Sequence, residues 1–358
     1  MKVVVVGAGY AGTYAANRVS KKVKGAEVTV VNPRPEFVER VRLHQQIAGT
    51  HSAATPLGSM LRAGITSYIG SVTKVGDGIV GLEDGTSLDF DYVFLAVGST
   101  VRPMEGTVPV GTWEGAQRAR GVLAALAPGS TVTVIGGGAT GVETASEIAE
   151  ARPDVRVRIV GTSVGEGLTH GARQRTRTGL ERLGVDIVDD GVTEVAAGTG
   201  EFDGEVQLRS AASFASDLTL WAILSGVPEL AARSGLEVDA EGRTVVDAGL
   251  RSVTDRRVFA VGDCAGVPGS RFACQTAGQS ADHAVDSLIR VLDGHAPEPY
   301  SPRYVGRCVS LGRKDAVAQS TRRDDTLRQA YVTGRAGAAL KQLAFSGSKF
   351  GSRWAVGG

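Results

Sequence analysis

One short pattern occurs twice in this chain, and the repeat restricts the fold more than any other feature. Lys2-Val3-Val4-Val5-Val6-Gly7-Ala8-Gly9-Tyr10-Ala11-Gly12 is matched by Thr131-Val132-Thr133-Val134-Ile135-Gly136-Gly137-Gly138-Ala139-Thr140-Gly141. Each copy is a β-branched run with the character of a buried parallel strand, then G-x-G-x-x-G, then a helix-like stretch. Second strands follow at Val28 to Val31 and Val155 to Val160, and Asn32 lies as far beyond Gly7 as Gly161 lies beyond Gly136. In such a loop the first glycine permits a tight turn, the second lets the backbone approach a pyrophosphate, and the third lets helix pack on strand. Unpaired N–H groups and the helix dipole then favour phosphate. Gly7, Gly9 and Gly12, and likewise Gly136, Gly138 and Gly141, are therefore expected to cradle two dinucleotides.

The match between the halves extends past the loops. Phe90 to Ser99 and Asp217 to Leu224 read as buried strands at comparable positions, and hairpin-like segments precede both, Ser71 to Leu88 and Gly191 to Ser210. A later run, Arg257-Val258-Phe259-Ala260-Val261-Gly262-Asp263, puts a carboxylate at the C-terminal end of a strand, where doubly wound sheets bind ligands. With 358 residues the chain has room for two domains and an appendage. A net charge of +1 argues against a nucleic-acid binder. The three cysteines, Cys264, Cys274 and Cys308, form no Cys-x-x-Cys pair, so no dithiol centre or disulfide framework is expected. No metal-ligand spacing stands out. The N-terminal residues show no charged leader and no apolar run is long enough to span a bilayer, which predicts a cytoplasmic protein.

The order of first glycine loop, Ala96-x-Gly98 strand, second glycine loop and late Gly262-Asp263 resembles that of FAD- and NAD(P)-dependent reductases with two dinucleotide-binding domains. The resemblance covers roughly residues 1 to 295. It implies an α/β chain of two Rossmann-like domains, the second inserted in the first: FAD at 1–104 and 237–300, NAD(P)H at 105–236, and a C-terminal segment at 301–358. It also implies that Ala96, Gly98, Gly262 and Asp263 hold FAD, Asp263 through the ribityl chain. Val30 to Phe37, Arg42-Leu43-His44-Gln45, Cys274-Gln275-Thr276-Ala277 and the tail Tyr304 to Arg313 look like the type II NADH dehydrogenases. Within them they look most like the apoptosis-inducing-factor-like quinone reductases (ferroptosis suppressors). Enzymes of that branch pass a hydride from NAD(P)H to FAD and reduce a quinone or similar acceptor. Disulfide reductases of the same fold use a cysteine pair that is not found here.

Several residues acquire expected roles. Asn32 ends the second strand where an acid usually grips the adenosine ribose, and its amide still offers an acceptor and two donors. At the matching place the nicotinamide domain has Gly161 and Thr162, with no carboxylate to accept from a ribose 2′-OH or repel a 2′-phosphate. NADPH is therefore expected to be accepted, with Arg173, Arg175 and Arg177 downstream, although at alternate spacing they cannot all face one way on a helix. Glu143 is placed on the first turn of the second helix, where the resemblance implies a role beside the nicotinamide. Gln275, Thr276 and Ala277 are expected to open a helix whose N–H groups face the pyrimidine edge of the flavin. The membrane dehydrogenases have a quinone-binding glutamine just after the Thr-Ala pair. Here Gly278 stands there, with Gln279 next. Arg42 is expected to meet the FAD pyrophosphate, and His44 is more often structural than functional.

The stretch Arg335 to Trp354 mixes apolar and basic residues. Such a segment caps a domain, contacts a second subunit in a homodimer, or touches a membrane surface weakly. Gly347 and Gly351 argue against a continuous helix. Three functions suit these motifs: an NAD(P)H:quinone-type reductase, a biosynthetic flavin reductase or oxidase acting on a specialised metabolite, and a flavin-containing redox sensor or interaction protein with slow turnover.

Overall fold

The computed structural model describes residues 1–355. Its eight α-helices are α1 (Tyr10–Lys22), α2 (Leu43–Ala48), α3 (Trp113–Ala125), α4 (Ala139–Ala151), α5 (His170–Arg182), α6 (Leu230–Arg233), α7 (Cys274–Leu292) and α8 (Gly334–Trp354). The valine run that opens the chain forms the central strand Lys2–Val6, with Val3 and Val5 fully buried. Burying a valine side chain contributes about 1.5–3 kcal/mol, so a strand of four makes a stable spine. Around it lies a parallel five-stranded sheet in the order Val258–Ala260, Tyr92–Leu95, Lys2–Val6, Glu27–Asn32, Thr66–Ile69.

The second sheet is built the same way, in the order Val108–Pro109, Leu218–Trp221, Thr131–Ile135, Arg156–Val160, Asp186–Val188, again all parallel. Parallel strands need helical crossovers, and α1 and α4 supply them directly after each glycine loop. The chain leaves the first sheet after Leu95, builds the second, and returns to the first at Val258, so one Rossmann-like domain is inserted in the other. The two crossing segments pair with each other, Thr100 N–H donating to the Gly226 carbonyl at 2.8 Å. Both hairpin regions form three-stranded antiparallel sheets, Val72–Asp89 and Val192–Ser216.

The C-terminal segment is more than a cap. Gly306–Ser310, Ala316–Thr321 and Leu327–Thr333 form an antiparallel sheet that leans on the inserted domain. Gln319, 1% exposed, accepts there from Thr169 Oγ1 at 2.6 Å, and Arg175 pairs with Asp315 at 2.5 Å. Helix α8 then crosses to the first domain and packs on α1. Contrary to the expectation from Gly347 and Gly351, α8 is one continuous helix. Tertiary ties outweigh the glycine propensity cost of about 1 kcal/mol each: the fully buried Asn17 side chain donates to the Ser352 and Arg353 carbonyls, and Ser352 Oγ donates to Tyr10 O.

Candidate active site

The two glycine loops lie at the C-terminal ends of their sheets. Gly7 has φ +96° and Gly136 φ +130°, and a side chain on Gly12 or Gly141 would drive a Cβ to 1.9 or 1.8 Å from the carbonyl oxygen of the first glycine. Only glycine permits that approach. Gly9, by contrast, meets nothing within 4 Å, and Gly138 meets only Glu166 Oε1 at 3.5 Å. In both loops the third and first glycines are filled by protein while the second faces open space, which suits a pyrophosphate.

Around the first loop, Asp263 accepts from Ser99 Oγ at 2.7 Å and from the Ala273 N–H at 3.1 Å. Gly98, at φ +68°, follows Ala96 at the exit of its strand. The nearby cation is Arg40, a residue that sequence reasoning passed over. Its guanidinium donates to the Ser99 carbonyl and Oγ and to the Gly111 carbonyl, and burial pushes its pKa down although Asp263 opposes this. Arg42, expected at the pyrophosphate, points elsewhere. It pairs with Glu39, donates to Gln45 and Gln342, and stacks on Phe345 at 4.6 Å. Arg40–Arg42 form a single 3-10 turn, so a shift of two residues decides which arginine reaches the cleft. Asn32 lies beside the loop, but its amide is spent on it: Oδ1 accepts from Ala8 N at 3.0 Å and Nδ2 donates to the Arg34 carbonyl at 2.7 Å.

Helix α7, expected to face the flavin, carries Gln275, Thr276 and Ala277 in its first turn, with the Gln275 and Thr276 side chains already engaged. Gln275 bonds Gly306 and Val305 of the C-terminal segment, Thr276 Oγ1 donates to the Ala273 carbonyl, and Ala277 is buried. Gln279 is used up on Gln275 and Arg303. Gly161 explains its own identity, since a Cβ there would lie 2.6 Å from Gly137 N. Thr162 beside it is exposed. Of the three downstream arginines, Arg175 and Arg177 are committed to Asp315 and Asp189, which leaves Arg173 as the candidate near the loop.

Glu143 differs most from expectation. It is the fifth residue of α4 rather than part of an open first turn, and it is 6% exposed. Its Oε1 is 2.6 Å from Lys341 Nζ of α8 and accepts from Ser310 N at 3.0 Å. Burial pushes the Glu143 carboxyl up, but the Lys341 ammonium and the Ser310 N–H outweigh it and hold the group below its ordinary value. Lys341, which also donates to the Cys308 carbonyl at 2.8 Å, is held charged in return: burial lowers it, and Glu143 more than restores it. Beside the pair, burial pushes His44 down to about 4, so its ring is neutral, and its buried Nε2 has no partner. The buried Tyr10 hydroxyl is likewise unpartnered. Lysine from the tail meeting glutamate from the second helix had no local signal in the sequence.

The open second glycines, the Asp263 carboxylate and these orphaned polar atoms all fit bound dinucleotides. Residues 1–287 match the pyridine nucleotide-disulphide oxidoreductase family. The chain belongs to that family. It is accordingly an FAD- and NAD(P)H-dependent oxidoreductase. An NADH dehydrogenase-like protein of Mycobacterium tuberculosis is 30% identical, covering 92% of this chain and 94% of the relative. Ferroptosis suppressor protein 1 of Taeniopygia guttata is 26% identical over 89% of this chain and 88% of its own length. The sulfide:quinone oxidoreductase of Aquifex aeolicus shares the fold, with a TM-score of 0.79 over 98% of this chain and 91% of that one at 17% identity. No helix among the described residues is long and apolar enough to cross a membrane.

Proposed function

We propose that this protein takes two electrons from NAD(P)H, by way of FAD, and delivers them to a quinone-like acceptor. The reading is carried by the buried Lys341–Glu143 pair, which the C-terminal segment completes over the second glycine helix. When bound, FAD supplies the two-electron relay between nicotinamide and acceptor. The loops around Gly9 and Gly138 bind and orient the dinucleotides through backbone N–H groups. Ser310 N–H and Lys341 Nζ fix the Glu143 carboxylate, and Glu143 keeps the Lys341 ammonium charged away from water. A protonated ammonium in a buried site stabilises the negative charge that develops on a quinone oxygen as it gains electrons, and it holds a proton at that atom. The relative named for NADH dehydrogenase supports the nicotinamide-to-flavin half of the reading.

An anaerobic titration tests it. The yellow protein should bleach with NAD(P)H and recover its colour on addition of a soluble quinone. Bleaching without quinone-dependent recovery would reject the acceptor class while leaving the reductase intact.

A further inference from the structure

A pocket of about 360 Å³ opens between the turn that joins the first two strands of the C-terminal sheet and the first turns of α8. Arg313, Lys314, Arg335, Ala338, Ala339 and Gln342 line it. Three of the six are cations and none is an acid. Arg313 is partly balanced by the buried Glu147 at 3.6 Å, and its N–H donates to Glu150. Lys314 and Arg335 have no carboxylate within 4.0 Å among the described residues, while the adjacent Asp315 is engaged by Arg175 and the Gly334 N–H. Unpaired cations on the rim of a concavity concentrate anions there.

The pocket backs onto the reactive cluster. Ala338, Lys341, Gln342 and Phe345 fall at i, i+3, i+4 and i+7 and so share one face of α8. Gln342, on the wall, accepts from Arg42 at 3.2 Å; Lys341, its neighbour, holds Glu143; Phe345 stacks on both Arg42 and Lys341 at 4.6 Å. Ala338 and Ala339 give this open depression part of an apolar lining, and its volume of about 360 Å³ accommodates a one- or two-ring compound.

We propose that this is the acceptor's binding site and that the acceptor carries an acidic group, a carboxylate or sulfonate, that docks on Lys314 and Arg335. The proposal rests on the quinone reading above and names its substrate class. The net reaction is NAD(P)H plus a proton plus quinone giving NAD(P)+ plus quinol, so the ring gains two electrons and two protons and the acidic group is unchanged.

The test compares 1,4-naphthoquinone with its 2-sulfonate as oxidants of the NAD(P)H-reduced holoprotein in stopped flow, at low and high salt. The sulfonate's rate constant should fall with ionic strength more steeply than the parent's. In the Lys314→Gln/Arg335→Gln protein the sulfonate-to-parent rate ratio should drop about ten-fold. Equal salt dependence and an unchanged ratio would overturn the charge preference while the quinone reading survives. Failure of both quinones to reoxidise the flavin would remove the two together. Sedimentation with phosphatidylglycerol and phosphatidylcholine vesicles separates the remaining source of anion. Loss of phosphatidylglycerol binding in the double variant, with an unchanged sulfonate ratio, would assign these cations to a lipid headgroup and overturn the proposal.

Discussion

At the first loop the residue between the glycines is Ala8, and Asn32 reaches back from its strand to accept from the Ala8 N–H. At the second loop the corresponding pair is Gly137 and Gly161, and neither has room for a side chain: a Cβ on Gly137 would lie 2.6 Å from Ser163 O. There the bracing is all backbone, with Gly165 N–H donating to the Gly137 carbonyl at 2.8 Å. The helices behind the loops also diverge. Tyr14 and Arg18 of α1 bind Asp282 and Asp286 of α7, whereas Glu143 and Glu147, at the matching positions of α4, bind Lys341 and Arg313 of the C-terminal segment. Two copies of one unit are thus closed by different partners. At these two positions the first copy is closed from within its own domain, although α8 also packs on it through Asn17 and Tyr10, whereas the second is closed by the tail, with Thr50 added at Glu147.

The strongest challenge to this comparison is the element the two loops share. Gly12→Ala and Gly141→Ala each force a Cβ into a carbonyl oxygen at under 2 Å, an overlap that backbone cannot relieve cheaply. Each should cost about 3 kcal/mol or more. Purified Gly12→Ala should lose its flavin absorbance, while Gly141→Ala, if it folds, should stay yellow and no longer bleach with NAD(P)H. Identical losses of flavin in both would mean that the halves do not act as separate sites.

Next in size is Glu143→Gln, which leaves the Lys341 ammonium buried opposite an amide. Breaking such a pair from one side costs about 3 kcal/mol of stability and should slow quinone-dependent flavin reoxidation in stopped flow, the step at which Lys341 acts. The pH dependence follows from the directions of the two shifts. Glu143 is depressed, so its contribution is present above the ordinary carboxylate value and is lost as pH falls through the lower folded value. Lys341 is raised, so its contribution is full below the ordinary lysine value and fades as pH rises past it. The gap in thermal stability between variant and wild type should therefore be widest from about pH 5 to about pH 10 and shrink below about pH 4. A gap that stays constant from pH 3 to pH 7 would deny that the pair is ionised.

How much of this was legible in the sequence follows from how local each signal is. The glycine loops, their strands and the return through Gly262-Asp263 are runs whose periodicity and turn chemistry are set within a dozen residues. Lys341 is one lysine in a mixed tail, and nothing near it says that it meets Glu143. Arg40 and Arg42 sit in one 3-10 turn, where neither strand nor α-helix parity predicts direction. The continuity of α8 depends on Asn17 and Tyr10 of a helix at the other end of the chain, a tertiary effect that propensity cannot contain.

Gly161→Asp sharpens the comparison at the ribose. If the second domain merely lacked the usual acid, restoring it should favour NADH. The Cβ would instead meet Gly137 N at 2.6 Å and displace the phosphate loop. Affinity for NADH and NADPH should fall together, by about thirty-fold, or roughly 2 kcal/mol. A selective gain for NADH, read from KM values, would show that the loop can relax.

The smallest expected effect concerns Arg173. Arg175 and Arg177 are held by Asp315 and Asp189, so neither is free to meet a 2′-phosphate. Arg173 makes no ion pair among the described residues, its Nε is buried without a partner, and its side chain packs against Gly165 of the loop that follows Gly161. A charge-assisted contact from a partly exposed arginine is worth about 1–1.5 kcal/mol, or roughly ten-fold in affinity. Arg173→Ala should therefore raise KM for NADPH about ten-fold and leave KM for NADH nearly unchanged. Equal KM changes for the two cofactors would make Arg173 a packing residue. The second site would then read its nucleotide through the backbone loop alone, which is the bracing that already sets it apart from the first.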